Sequence, residues 1–380
     1  MLVRPHICCI LEKKLFTLNK RRPQMREVRR LDFSGQDIFI GLDVHKKSWE
    51  VTIRTRDFEH KTFTQNPDPK VLVNYVHRHF PGARYHSVYE AGFCGFWIHD
   101  ELEAHGVNNM VIHPPDVPTK DKERRRKSNK VDCRKLARGL CNGELEPIYI
   151  PSATARADRS LVRTRHAGAK QQGRSKNQIT GMLNFYGIKI PERFAKSRWS
   201  GKFIRWLEGL EIENENGTGA LGYYIDELKH HRRRLCELNK RVRALSRTDW
   251  YRERVRYLLS IPGIGIITAM VILTELVDIG RFKTLDQLAS YLALIPGERS
   301  SGDWESHTGL IRRGHLYLRY LLIECAWVAV RKDPALMMAY TDLTRRMSGQ
   351  KAIIRIARKL LNRVRYVLMN NEPYVMAVVE

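Results

Sequence analysis

The sequence predicts an α/β domain followed by a helical remainder, and three observations carry that expectation. Apolar and polar residues alternate with period two from residue 38 onward. Helix-like and strand-like segments then take turns to about residue 150. Beyond that point the strand signal disappears, while apolar residues keep recurring at helical spacing to the end of the chain.

The alternation is plainest in "IFIGLDVHKKSWEVTIRTRDFEHKTFTQN", where two turn-like breaks divide three short segments. Trp49, Val51 and Ile53 fall on one face there and Glu50, Thr52 and Arg54 on the other, the pattern of an antiparallel meander. A helix over "PKVLVNYVHRHF", the strand "RYHSVYEA", the helix "GFWIHDELEAHG" and the strand "NNMVIHPP" follow. After the charged loop "DKERRRKSNK", Cys133, Leu136, Ala137, Leu140 and Cys141 repeat at helical spacing. Three strands and then alternating helix and strand is the order of a ribonuclease-H-like fold. A doubly wound nucleotide-binding domain would place a helix after its first strand, and no phosphate-binding glycine motif is present.

From 153 to 250 the chain reads as an antiparallel helical pair. "ATARADRSLVRTRHAGAKQQGRSKNQITGML" is basic and helical, the loop "EIENENGTG" intervenes, and Tyr224, Leu228, Leu235, Leu238 and Val242 mark a long amphipathic helix. From 251 to 380 the expectation is mostly α. "YLLSIPGIGIITAMVILTEL" sets "PGIG" between two apolar helical runs, as in a helix-hairpin-helix. There Gly263 and Gly265 allow the tight turn, and amides at the following helix start can face a phosphate. An ordinary helix-loop-helix fits the same residues. The domain expectation is therefore a basic arm over 1–36, an α/β domain over 37–152, a helical middle over 153–250, and a helical domain over 251–380.

Composition narrows the function. The 380 residues carry 67 Lys and Arg against 41 Asp and Glu, a formal net charge of +26. An excess of that size, spread along the chain, points to a polyanionic partner. No apolar run approaches the ~20 residues of a membrane span, so a membrane partner is not expected. The seven cysteines are scattered, without zinc-ligand spacing, and read as reduced thiols of a cytosolic protein.

Carboxylates next to a phosphate-binding surface need a reason in so basic a chain. Asp43 lies in the first strand, Glu90 ends the fourth, and Asp132 opens the helix "KVDCRKLARGL". In the expected fold the first and fourth strands are neighbours, so Asp43 and Glu90 converge and a helix on that edge adds Asp132. Three carboxylates there make an oxygen-ligand site for Mg²⁺ at a phosphodiester. Each also has a structural reading: a strand-end Asp, a turn-facing Glu, and an Asp favoured by the helix dipole.

These residues carry a family resemblance. "GLDVHKKSWEV", "VYEAGFCG" and "KSNKVDCRKLA", then "IPGIGIITAMVILTEL", "RFKTLDQLASYLALIPGERSSG" and "GLIRRGHLYLRYLLIECAWVAVRKDPAL", resemble the insertion-sequence one-ten family of DEDD transposases, from about residue 37 to the C-terminus. The resemblance implies a RuvC-like N-terminal domain, a coiled-coil middle and a C-terminal domain with a nucleophilic serine. It also implies donor and target DNA, a guiding bridge RNA, a dimer or tetramer of the chain, and a cytoplasmic, nucleoid-associated setting. Asp43, Glu90 and Asp132 match the first, second and fourth members of the family's acidic quartet. The third falls at Asn129, three residues before Asp132 and so on the same helical face, where an amide offers a metal a carbonyl oxygen but no charge.

The family serine precedes a glycine, which points to Ser301 in "RSSG", with Ser300 as the alternative. Arg299, Arg312, Arg313 and Arg319 are the candidates for clamping the scissile phosphate. The leading expectation is a transposase or site-specific recombinase working through a phosphoserine link. A metal-dependent junction nuclease that leaves Ser301 idle, and a catalytically impaired nucleic-acid binder with Asn129 at its centre, are the other two readings.

Overall fold

The structure is a computed structural model that describes residues 32–118, 128–301 and 304–376; between 298 and 308 it describes only the backbone of the strands. The chain separates into two compact units at Ile150 and Pro151. The expected basic arm lies almost wholly outside the described residues.

The first unit is built on the expected meander. Strands β1 (Asp37–Val44), β2 (Trp49–Arg54) and β3 (Glu59–Gln65) pair antiparallel. Helix α1 (Pro69–His79) follows, started by Asp68, whose carboxylate accepts from the Lys70 amide at 2.8 Å, and by Pro69 in the first turn. Next come β4 (Arg84–Glu90), α2 (Trp97–Ala104) and β5 (Val107–Ile112). The sheet order is β3-β2-β1-β4-β5, with β4 parallel to both β1 and β5.

Alternation decides what each face of the sheet meets. Ile38, Ile40, Leu42, Trp49, Val51 and Ile53 are buried with residues of α1 and α2 on one side. The other side takes α3 (Asn129–Asn142), whose Leu136 packs with Val88 and Ile112. Gly41 is what lets this helix sit so close. A Cβ added there would lie 2.1 Å from the Cys133 carbonyl oxygen and 2.5 Å from the Ala137 amide nitrogen.

The second unit begins with two long helices, α4 (Ala153–Phe185) and α6 (Glu215–Leu245), with the short α5 (Gly201–Glu208) between them. Arg165 bonds Asn239, Gly168 abuts Leu238, and Ser175 meets His231 at 3.0 Å. Partner numbers fall as these rise, so the pair is antiparallel as expected. The loop expected over 211–219 ends sooner than its polar composition implies. Asn214 caps α6 by accepting from the Gly217 amide at 3.1 Å, and residues 215–219 are already helical.

Helices α7 (Asp249–Leu259) and α8 (Ile266–Leu276) flank "PGIG". Then come α9 (Leu285–Tyr291), α10 (Leu316–Ala329), α11 (Pro334–Thr344) and α12 (Gly349–Asn370), which share one core. A two-stranded antiparallel sheet, β6 (Pro296–Ser301) and β7 (Trp304–Leu310), stands where the composition reads as an open loop. Its serines and charged residues have weak strand propensity, and mutual pairing makes the element. Among the described residues no helix is long and apolar enough to cross a membrane.

Candidate active site

Register brings Asp43 and Glu90 together. The last parallel pair of β1 and β4 is Leu42 with Tyr89, so Asp43 and Glu90 are the next residues on adjacent strands. Both lie on the face that α3 covers, since Ile40 and Leu42 point into the opposite core. Helix α3 runs back along β1. Cys133 is level with Gly41, while Cys141 reaches the Thr55 carbonyl at 4.0 Å. Going two residues up the strand moves about 6.6 Å, and four residues back along the helix about 6 Å. Asn129 and Asp132 therefore stand over the end of the sheet that carries Asp43 and Glu90. Asp132 sits in the first helical turn, where the dipole favours a carboxylate, and Ser128 caps that turn toward Val131.

Two residues absent from the sequence expectation join this end. Glu50 faces Asp43 across the antiparallel ladder. Its Oε1 accepts from Thr64 Oγ1 at 2.6 Å, and its Oε2 is buried without a hydrogen-bond partner. His45 Nε2 lies 3.2 Å from Asp43 Oδ2. The shared location shows in the Cys133 thiol. Burial pushes its pKa up, a hydrogen bond with Thr52 at 3.0 Å opposes this, and the Glu50 and Asp43 carboxylates push the same way as burial. Glu50 was legible in principle: the first two strands form a hairpin, and counting back from its turn sets residue 50 opposite 43.

These oxygen donors are of the type a hard divalent cation takes, and the partnerless Glu50 oxygen fits such an ion. Among the described residues, however, no three His, Cys, Asp or Glu side chains close on a single point. The carboxylates share an end and a face of the sheet rather than a finished cage.

The serine end belongs to the second unit. Ser300 and Ser301 close β6 opposite Glu305 and Trp304. The side chains of Ser300, Ser301 and Arg299 lie outside the described residues. Arg312 and Arg313 are exposed just after β7. Arg319 is engaged with the chain itself, donating to the carbonyls of Ala293 at 3.1 Å and Ile311 at 2.9 Å. It braces the arginine-bearing loop from behind. Gly314 is required beneath that loop, since a Cβ there would meet the Tyr291 carbonyl and the Ala293 amide, each at 2.9 Å.

In the helical turn, Gly265 begins α8 and is exposed. Gly263 has φ +93°, and a Cβ there would meet the Cys325 carbonyl at 2.4 Å. Its small size thus serves the approach of α10.

Beside His315, five residues beyond β7, lies Glu275 of α8, 1% exposed. Arg163 holds both its oxygens at 2.7 Å, His315 Nε2 lies 3.0 Å away and Arg159 3.5 Å. Burial pushes the Glu275 carboxyl up, but the hydrogen bonds from Arg163 and His315 outweigh it and hold the pKa at about 2. His315 Nδ1 accepts from the Leu318 amide at 3.1 Å, so Nε2 carries the proton donated to Glu275. A carboxylate inside the apolar run "VILTEL" was the available signal.

A mixed sheet with carboxylates at one end, in a chain that continues as a helical unit, is of the DEDD nuclease-like class. Residues 40–188 match the DEDD transposase domain, a domain type dependent on divalent metal, and residues 255–342 match the family described as "Transposase IS116/IS110/IS902 family". The chain belongs to the IS110/IS116 family and is a DNA transposase of that family.

Similar proteins span much of it. A putative transposase of Sinorhizobium fredii is 30% identical over 240 residues, 63% of this chain and 57% of that one. The transposase for insertion sequence element IS1111A of Coxiella burnetii is 23% identical over 384 residues, 96% of each chain. The pilin gene-inverting protein of Moraxella lacunata is 25% identical over 350 residues, covering 88% of this chain and 97% of that one.

Proposed function

We propose that this transposase cuts and rejoins DNA through a phosphoserine link at Ser301, aided by a Mg²⁺ site on a ribonuclease-H-like, RuvC-like domain. The observation that carries this reading is the register of β1 and β4, which sets Asp43 beside Glu90 under the first turn of α3. Asp43, Glu90, Asp132 and the Asn129 carbonyl would hold the ion, with Glu50 supplying a further oxygen. The ion's chemistry there is to favour loss of the attacking hydroxyl's proton and to neutralise the phosphoryl charge.

The Ser301 oxygen bonds to phosphorus as the bond to the 3′ oxygen breaks. The hydroxyl's proton leaves, and the departing 3′ oxygen takes one up. The phosphoester keeps the bond energy, so the reverse attack reseals DNA without a high-energy cofactor. Arg299, Arg312 and Arg313 clamp the phosphate, and the exposed start of α8 at Gly265 holds a neighbouring one. An element-encoded guide RNA selects donor and target by pairing, in a homo-oligomer joined through the coiled-coil middle. That the pilin gene-inverting protein is named for a gene inversion agrees with recombination rather than plain hydrolysis.

Suicide DNA substrates test the chemistry. Wild type should give a denaturant-resistant adduct mapping to Ser301, and Ser301→Ala should lose adduct and recombination while retaining DNA binding. An adduct that survives Ser301→Ala but vanishes in Ser300→Ala moves the role by one residue. Cleavage with no adduct in any variant would establish the junction-nuclease reading instead.

A further inference from the structure

Helix α12 has 22 residues, six of them Lys or Arg and none Asp or Glu. Two of the six are matched within the fold, Arg358 to Asp286 and Arg363 to the buried Asp333. Lys351, Arg355 and Lys359 have no carboxylate partner among the described residues, and all three are exposed. They follow one another at four-residue intervals, so their charges line up about 6 Å apart on one face. Like charges at that spacing repel and weaken a helix. Among the described residues no carboxylate offsets the repulsion, which points to an anion from outside.

The row forms one wall of a cleft of about 960 Å³. Facing it are Leu294, Leu310, Leu336 and Ala339, and the cleft reaches Pro296 and Gly309 at the root of the β6–β7 hairpin. A lone phosphate would fill a small part of that space, and the volume is that of a pocket for a sizeable ligand. One wall asks for a series of negative charges at regular spacing, and the other for apolar surface. A duplex offers the charges but hides the faces of its bases. An unpaired polynucleotide strand offers both.

We propose that this cleft is a binding site for unpaired DNA, seating the strand next to the scissile phosphate. Its phosphates lie along Lys351, Arg355 and Lys359, and its sugars and bases lie against Leu310 and Ala339. The inference rests on the reading of the chain as a strand-cutting enzyme, but its test needs no cutting.

Fluorescence anisotropy of the full chain in chelator, with labelled oligothymidine and with a duplex of equal length, reads binding across a salt series. Changing Lys351, Arg355 and Lys359 together to Ala should lower oligothymidine affinity at least tenfold. It should also reduce the slope of log K against log salt by about 2, from a slope of about 0.7 per phosphate contact on single strands. The duplex slope should change by less than half as much. Exposed side chains whose charges repel can be removed without unfolding, so the melting midpoint should hold or rise. Thiothymidine placed in the oligonucleotide should crosslink to the segments containing Leu310 or Ala339.

An unchanged oligothymidine slope, or an equal loss for duplex, would overturn the proposal. So would a variant that binds DNA normally but loses self-association in sedimentation, which would give the cleft to a second copy of the chain. Loss of the Ser301 adduct with the salt effect intact would instead sink the chemical reading and leave the cleft standing.

Discussion

Replacing Glu275 by Gln probes the brace that joins α8 to His315, just beyond the serine hairpin. The carboxylate is 1% exposed, and its charge is met by Arg163, His315 and Arg159. Gln keeps the shape and some hydrogen bonds but leaves Arg159, whose side chain is 16% exposed, as a buried cation without its counter-charge. Removing one partner of a buried pair costs about 3–5 kcal/mol. Arg163 is more than half exposed, so its share is screened and the lower end applies.

Linkage gives a similar figure. A carboxyl lowered from 4.5 to about 2 contributes about 3 kcal/mol at neutral pH. Because the folded pKa lies below the unfolded one, this contribution is complete above about pH 4.5 and fades as pH falls toward 2. Calorimetry of both proteins should show the variant melting about 6–12 °C lower at pH 7, at about 2–4 °C per kcal/mol. The gap should shrink steadily between pH 4.5 and 2, since Gln does not titrate. A deficit under about 1 kcal/mol at pH 7, or a gap constant from pH 6 to pH 3, would refute this account of the brace.

Asp132→Ala is expected to abolish strand transfer while shifting DNA affinity less than about threefold, because the basic surface supplies binding; full activity in gel assays would remove Asp132 from the metal site. Asn129→Asp should leave activity equal or raised, and tighten the response to metal in a titration, since it restores a charge to the helix turn above Asp43. A large loss would give Asn129 another role. Gly41→Ala forces a methyl into the backbone of α3 and should cost at least about 2–3 kcal/mol. A near-neutral melt would mean that the helix is less closely seated than the geometry shows.

The first unit was legible because one face of its sheet carries large apolar residues while the face under α3 carries small or polar ones such as Gly41, Asp43, Glu50 and Thr52, which writes period two into the sequence. That period locates the strands, and the strand order of a ribonuclease-H-like fold then sets Asp43 and Glu90 on neighbours, as the register shows. The hairpin at 296–310 was not legible in the same way. Its residues are mostly Gly, Ser, Asp, Glu, Arg and His, which report neither a buried face nor strand preference, and pairing rather than composition makes them strands. The 334–344 helix was equally quiet until its cap was visible: Asp333 accepts from the Leu336 amide at 3.0 Å and also pairs with Arg363, thirty residues away. Glu275 hid for a related reason, since its partners Arg163 and His315 lie 112 and 40 positions distant.

The two ends of the proposed chemistry are supported differently by the fold. The carboxylates stand on strand ends and a helix start, positions set by a sheet whose register a one-residue slip would invert. The serine stands on a two-stranded hairpin whose base is held by single anchors. Arg319 grips the Ala293 and Ile311 carbonyls, and His315 ties the following helix cap to Glu275. Those anchors fix where the hairpin leaves the core of the unit. Weakening the anchors should therefore cost strand transfer before it costs binding. Carboxylates set by sheet register and a serine set by the anchors of its hairpin suit the proposed reaction, in which one attacking group must meet a phosphate, hold it, and release it to a different strand.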